Sequence, residues 1–122
     1  MRIGRRLFAL AVAGLLAACS FQNKDERLAE NITKAMMNND LRPVQNDIAP
    51  GIQISRVQVA EAADELDAQG RLLSVKETPQ NCQPGIHCFD VKFERRSYVE
   101  RMRLDENGKV LAWTYRPVAA SP

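Results

Sequence analysis

Several marks of common enzyme classes are missing from this chain. It has one histidine and one tryptophan in 122 residues. No glycine-rich phosphate loop, nucleophile elbow or metal-binding helix motif occurs in it, which removes the sequence signatures of nucleotide hydrolysis, serine hydrolysis and zincin chemistry. There are no internal repeats and no low-complexity segment, so neither a repeat array nor a biased linker is indicated. No run is apolar over the about 20 residues that a mature transmembrane helix needs; the uncharged stretch from Leu7 to Leu16 is too short. Strong charge of one sign is lacking as well, the formal net charge being +2. The length allows one domain.

What is present begins with a distinct N-terminus. Arg2, Arg5 and Arg6 precede the apolar stretch LFALAVAGLL, and Leu16-Ala17-Ala18-Cys19 follows. That order is an export leader, and the tetrapeptide resembles the lipobox of bacterial lipoproteins. Small residues let a peptidase fit the extended backbone, and the Cys19 thiol is the nucleophile that takes the diacylglycerol. The resemblance implies a signal peptide over 1–18, a lipidated tether over 19–24 and a membrane partner reached through the lipid on Cys19. Several acyl chains there anchor durably, whereas one binds only marginally. Ser20, where an aspartate tends to retain lipoproteins in the inner membrane, implies the periplasmic face of the outer membrane. Cleavage removes three of the 17 basic residues and leaves 14 against 15 acidic ones, net −1. The basicity of the full chain therefore belongs to the leader and gives no argument for nucleic-acid binding.

Cys82 and Cys88 lie in the exported part, where disulfides persist. The turn-forming Pro84-Gly85 between them brings the thiols together, and a disulfide is predicted. A metal site of Cys82, His87 and Cys88 is the alternative, with three ligands and no evident fourth, so no metal and no cofactor are expected. The spacing also differs from the C-x-x-C of redox pairs.

From Asp25 the chain reads as helical. Leu28, Ile32, Ala35 and Met36 make one apolar stripe. Asn38-Asn39-Asp40 weakens the helix, and Pro43 opens a short second piece that buries Val44 and Ile48. Pro50-Gly51 breaks the chain. Ser55 and Gln58 match a capping box for a helix with Val59, Ala63 and Leu66 on its inner side, stopped at Gly70.

Beyond Arg71 the period becomes two. Strands are predicted over 72–78, around Phe89-Val91-Phe93, over Tyr98 to Leu104, and over 110–116. With a turn at Arg95-Arg96, Phe93 faces Tyr98, Phe89 faces Met102, and Asp90 forms an outer pair with Arg101. The turn Asp105-Glu106-Asn107-Gly108 then places Leu111, Trp113 and Tyr115 on the face of Tyr98, Met102 and Leu104. Helices followed by a four-stranded antiparallel meander make an α+β domain over 25–117, with the helices on one sheet face and a tail over 118–122.

This order, with AQGRLLSV leading into the first strand and RLDENGKVLAWTYRP as the last hairpin, is similar to the NTF2-like (cystatin-like) superfamily over most of residues 28–117. The resemblance implies a curved sheet closed into a cone. It says little about activity, since isomerases, dehydratases, ligand-binding modules and dimerising adaptors share that fold.

Glu100 is the candidate general base. Parity puts it on the inner face, where an apolar cone raises a carboxyl pKa. The plainer reading has it at the open end of the cone, solvated or paired with an arginine, and no second acid or histidine completes a catalytic site. Tyr98, Met102, Trp113 and Tyr115 either line a ligand pocket or form core. Arg95, Arg96, Arg101 and Arg103 offer a patch for an acidic partner or lipid head groups, but acidic residues are interleaved, as on an ordinary solvated sheet face. The expected function is a non-enzymatic envelope module that binds a protein partner or a small hydrophobic ligand. A cone-type enzyme using Glu100 and an accessory subunit of an envelope complex are the alternatives.

Overall fold

The computed structural model describes residues 22–119. The leader, Cys19, Ser20 and positions 120–122 lie outside the described residues, and with them the lipobox and sorting readings.

Helix α1 spans Lys24–Met37. It starts one residue earlier than expected because Asn23, assigned to the tether, is its cap. The Asn23 side chain accepts from the Glu26 N–H at 2.7 Å, and the Glu26 carboxylate accepts from the Asn23 N–H at 3.0 Å. Its inner stripe buries Ala29, Ile32, Thr33, Ala35 and Met36. The helix ends where Asn39 takes a left-handed φ of 54°, a conformation asparagine tolerates. A 3-10 turn over Arg42–Asp47, with Pro43 in its first turn, buries Val44. Helix α2 spans Arg56–Asp67 and opens with the expected reciprocal box, the Ser55 and Gln58 side chains each accepting from the other's N–H at 3.1 Å.

Strands β1 (Leu72–Glu77), β2 (His87–Phe93), β3 (Ser97–Leu104) and β4 (Val110–Pro117) form one four-stranded sheet in the order β1-β2-β3-β4. All neighbouring pairs are antiparallel. Phe89, Val91, Phe93, Tyr98 and Met102 point to one face and are buried against Ala29, Ile32, Met36, Val59 and Leu66 of the helices. The architecture is therefore α+β, helices packed on an open antiparallel sheet.

Two features of the sheet correct the register expected from sequence. The β2–β3 turn is at Glu94-Arg95, one residue before Arg95-Arg96, with the Phe93 N–H donating to the Arg96 carbonyl at 2.9 Å. The chain leaving α2 grips this turn. The Glu94 N–H donates to the Arg71 carbonyl at 3.0 Å, and the Arg95 N–H donates to the Gln69 carbonyl at 2.9 Å. The Glu94 carboxylate in turn accepts from the Arg71 N–H at 2.7 Å. Gly70 permits the approach: its φ is +87°, and a Cβ there would come within 2.7 Å of the Glu94 carboxylate. Moving the turn by one residue slides the pairing by two and so keeps parity. Val91 faces Tyr98, Phe89 faces Glu100, and Asp90 faces Val99 instead of Arg101.

The second correction is on β4. A register shift between Arg103 and Leu104 pairs Leu104 with Val110, while Met102 pairs with Trp113. Val110 is buried in consequence, and Leu111, expected inside with Trp113 and Tyr115, is 37% exposed.

Candidate binding groove and its buried carboxylate

Glu100 is fully buried in the middle of β3, which overturns the placement at an open, solvated or arginine-paired end. Its partners come from two other elements. Thr33 Oγ1 on α1 lies 2.9 Å from Oε1 and 2.7 Å from Oε2, and Trp113 Nε1 on β4 donates to Oε1 at 3.1 Å. Burial pushes the carboxyl up to about 7, and the two hydrogen bonds hold it lower than burial alone would.

The hydroxyl geometry also favours the neutral acid. Thr33 Oγ1 is 2.8 Å from the Ala29 carbonyl as well, and it has one proton to donate. A protonated Glu100 gives its proton from Oε2 to Thr33, and Thr33 gives its own to Ala29, so the 2.7 Å and 2.8 Å contacts each have a donor. An ionised Glu100 takes the Thr33 proton and leaves two oxygens facing each other without one.

Of the four candidate pocket residues, the structure divides two from two. Tyr98 and Met102 are core. Tyr98 packs edge-on against Phe93 with ring centroids 5.5 Å apart, and its hydroxyl donates to Glu65 at 2.9 Å. Burial, then the bond to Glu65, push its pKa up to about 12. Trp113 and Tyr115 are partly buried, lie 5.3 Å apart, and line a groove of about 460 Å³ between α2, β4 and the segment joining the 3-10 turn to α2. Burial and the nearby Glu65 and Glu61 raise the Tyr115 pKa.

The groove's other residues escaped the sequence reading. Met36 and Ala62 form part of its base, Ile48, Ile52 and Ile54 one wall, and Gln58 and Glu61 part of the polar rim. Ile52 and Ile54 follow the Pro50-Gly51 break at alternate spacing, a weak strand-like signal. The segment is held against β4 by an isolated parallel bridge between Ile48 and Val110, with the Ala49 N–H donating to the Val110 carbonyl at 2.9 Å. Glu100 does not line the groove; Trp113 stands between them with its indole N–H turned inward.

Cys82 and Cys88 form a disulfide, with Cα atoms 5.7 Å apart. This removes both sulfurs from any metal site. The His87 Nδ1 lies instead 3.3 Å from both Asp25 and Glu77. Arg95, Arg96, Arg101 and Arg103 are exposed, as on a solvated face.

A scan against protein-family models and searches of curated proteins and of solved structures found no match to this chain.

Proposed function

We propose that the protein is a non-enzymatic binding module of the bacterial envelope, held at a membrane by lipid on Cys19, whose groove takes a small apolar ligand. The groove carries this reading. Its volume, about 460 Å³, is within the usual range of ligand sites. Isoleucine and aromatic side chains offer the apolar contact, and Gln58 and Glu61 at the rim suit a ligand with a polar or cationic end. Ile52 and Leu111 are 38% and 37% exposed at this site, apolar surface that an occupant would cover.

The enzymatic alternative needs a carboxylate that reaches substrate. Glu100 is enclosed, and its oxygens are taken by Thr33 and Trp113. Its chemistry supports a role in packing α1 and Trp113 together.

Membrane attachment rests on the lipobox resemblance. With the Asn23 cap four residues after Cys19, the tether can extend at most about 14 Å, and the domain would lie against the lipid surface. The NTF2-like assignment rests on the hairpin and helix-to-strand motifs, with which the α+β architecture agrees.

Trp113 is the chain's single tryptophan and reports on the groove directly. In full-length protein in phospholipid nanodiscs, a small apolar probe is expected to change Trp113 fluorescence saturably, and Ile52→Glu is expected to remove that response while leaving far-UV circular dichroism unchanged. A wild-type chain without saturable response ends the groove reading. Cys19→Ala is expected to lose the lipid mass and leave the membrane fraction; unchanged fractionation ends the anchoring reading.

A further inference from the structure

Three side chains from three elements converge beside the β1–β2 pair, and none of them lines the groove. Asp25 is in the first turn of α1, Glu77 ends β1, and His87 begins β2. One donor atom from each lies within 4.8 Å of the others. His87 Nδ1 is 3.3 Å from Asp25 Oδ2 and 3.3 Å from Glu77 Oε2.

The chemistry of this cluster is incomplete by itself. A neutral imidazole has one N–H and cannot donate fully to two carboxylates from the same nitrogen. Both distances exceed the usual 2.7 to 3.2 Å of a nitrogen–oxygen hydrogen bond. The two separations from His87 equal the edge of a tetrahedral zinc site, in which ligands at about 2.0 to 2.1 Å from the ion stand about 3.3 to 3.4 Å apart, and the third separation, within 4.8 Å, leaves room for the ion. Among the described residues no lysine or arginine pairs with Asp25 or Glu77, so two half-buried carboxylates face one imidazole without a fixed cation.

The surroundings hold the donors in place. The second oxygen of Glu77 accepts from the Asn23 side chain at 2.9 Å, the kind of supporting bond that orients ligating carboxylates. The Glu77 N–H donates to Glu26 at 2.7 Å, tying β1 to the start of α1. His87 is fixed by strand pairing opposite Met102 and by the Cys82–Cys88 disulfide beside it.

We propose that Asp25, Glu77 and His87 form a site for a divalent transition-metal ion of the zinc class, with a fourth position open to water. One imidazole and two carboxylates suit zinc or cobalt(II); calcium requires six to eight oxygens, which this cluster does not offer. The ion would join α1, β1 and β2.

The test uses the full chain after chelator treatment, titrated with zinc chloride, with cobalt(II) chloride as spectroscopic probe. Expected are one zinc per chain, a raised melting temperature on zinc addition, and visible cobalt bands of tetrahedral intensity. Loss of supporting residues alone costs metal sites about 10- to 100-fold in affinity, so His87→Ala, which removes a ligand, is expected to cost about 100-fold or more and abolish the cobalt bands. Glu77→Gln is the second variant and keeps the test decisive if His87→Ala unfolds. Absence of zinc binding overturns the proposal, as does binding that both folded variants retain at wild-type affinity. None of these readouts involves the groove.

Discussion

The two edges of the sheet are finished in opposite ways. At the Glu77 end of β1 the finish is polar and cross-linked: Glu26 and Asn23 reach from the start of α1 to Glu77, and a disulfide closes the loop that follows. At β4 the finish is apolar and half-covered: one parallel bridge holds the Ile48 segment, and Ile52 and Leu111 remain more than a third exposed beside Trp113. Polar groups that satisfy one another close a surface, whereas isoleucines gathered around a groove leave area for something else to bury. Glu100 sits between these regimes, a polar group inside the packed layer whose partners come from α1 and β4.

Substitutions can break or sharpen this contrast. The largest effect is expected from Phe89→Ala. Phe89 is fully buried at the centre of β2, and its truncation should cost about 3 to 5 kcal/mol in urea unfolding.

Next is Glu100→Gln, expected to stabilise. The folded carboxyl is raised from 4.5 to about 7, so between those pH values the folded state holds more protons than the unfolded one. Stability from this group is complete below 4.5 and is lost as pH rises through about 7. Glutamine can accept from Trp113 and donate to Thr33 without a charge. It should gain about 2 to 3 kcal/mol at pH 8, little at pH 4, and flatten the pH profile between. A profile unchanged by the substitution would show that Glu100 does not titrate in this window.

Replacing Cys82 and Cys88 by serine should cost about 2 kcal/mol, because the closed loop is short. That loss should appear as faster amide exchange at the β1–β2 end with the groove untouched. Ile52→Glu, the groove variant, should change stability least, within about 0.5 kcal/mol, since Ile52 is already 38% exposed.

The helices and the face of each central strand were legible in the sequence. Ser55 and Gln58 cap α2 as their spacing requires, and the Phe89-Val91-Phe93 alternation buries all three residues. The α1 cap is equally local, Asn23 and Glu26 standing at capping-box spacing, but a tether drawn over 19–24 hides it. Register was harder. The β2–β3 turn is chosen by Gln69 and Arg71 gripping Glu94-Arg95, a contact across more than 20 residues. The shift that turns Leu111 outward is invisible to a parity argument, which assumes an unbroken ladder.

The candidate sites divide in the same way. Period, caps and cysteine spacing are properties of neighbouring residues, so the sequence alone determined that this chain makes helices and then strands, which side chains face inward on β2, and that Cys82 and Cys88 pair. Thr33 meets Glu100 across 67 positions, and Asn23 meets Glu77 across 54. Such meetings depend on how helices dock on the sheet, which is set by the summed packing of all the buried side chains and not by any one of them. Only the tertiary structure therefore decided that Glu100 is enclosed, that Trp113 stands between it and the groove, and that the lone histidine faces two carboxylates instead of two thiols.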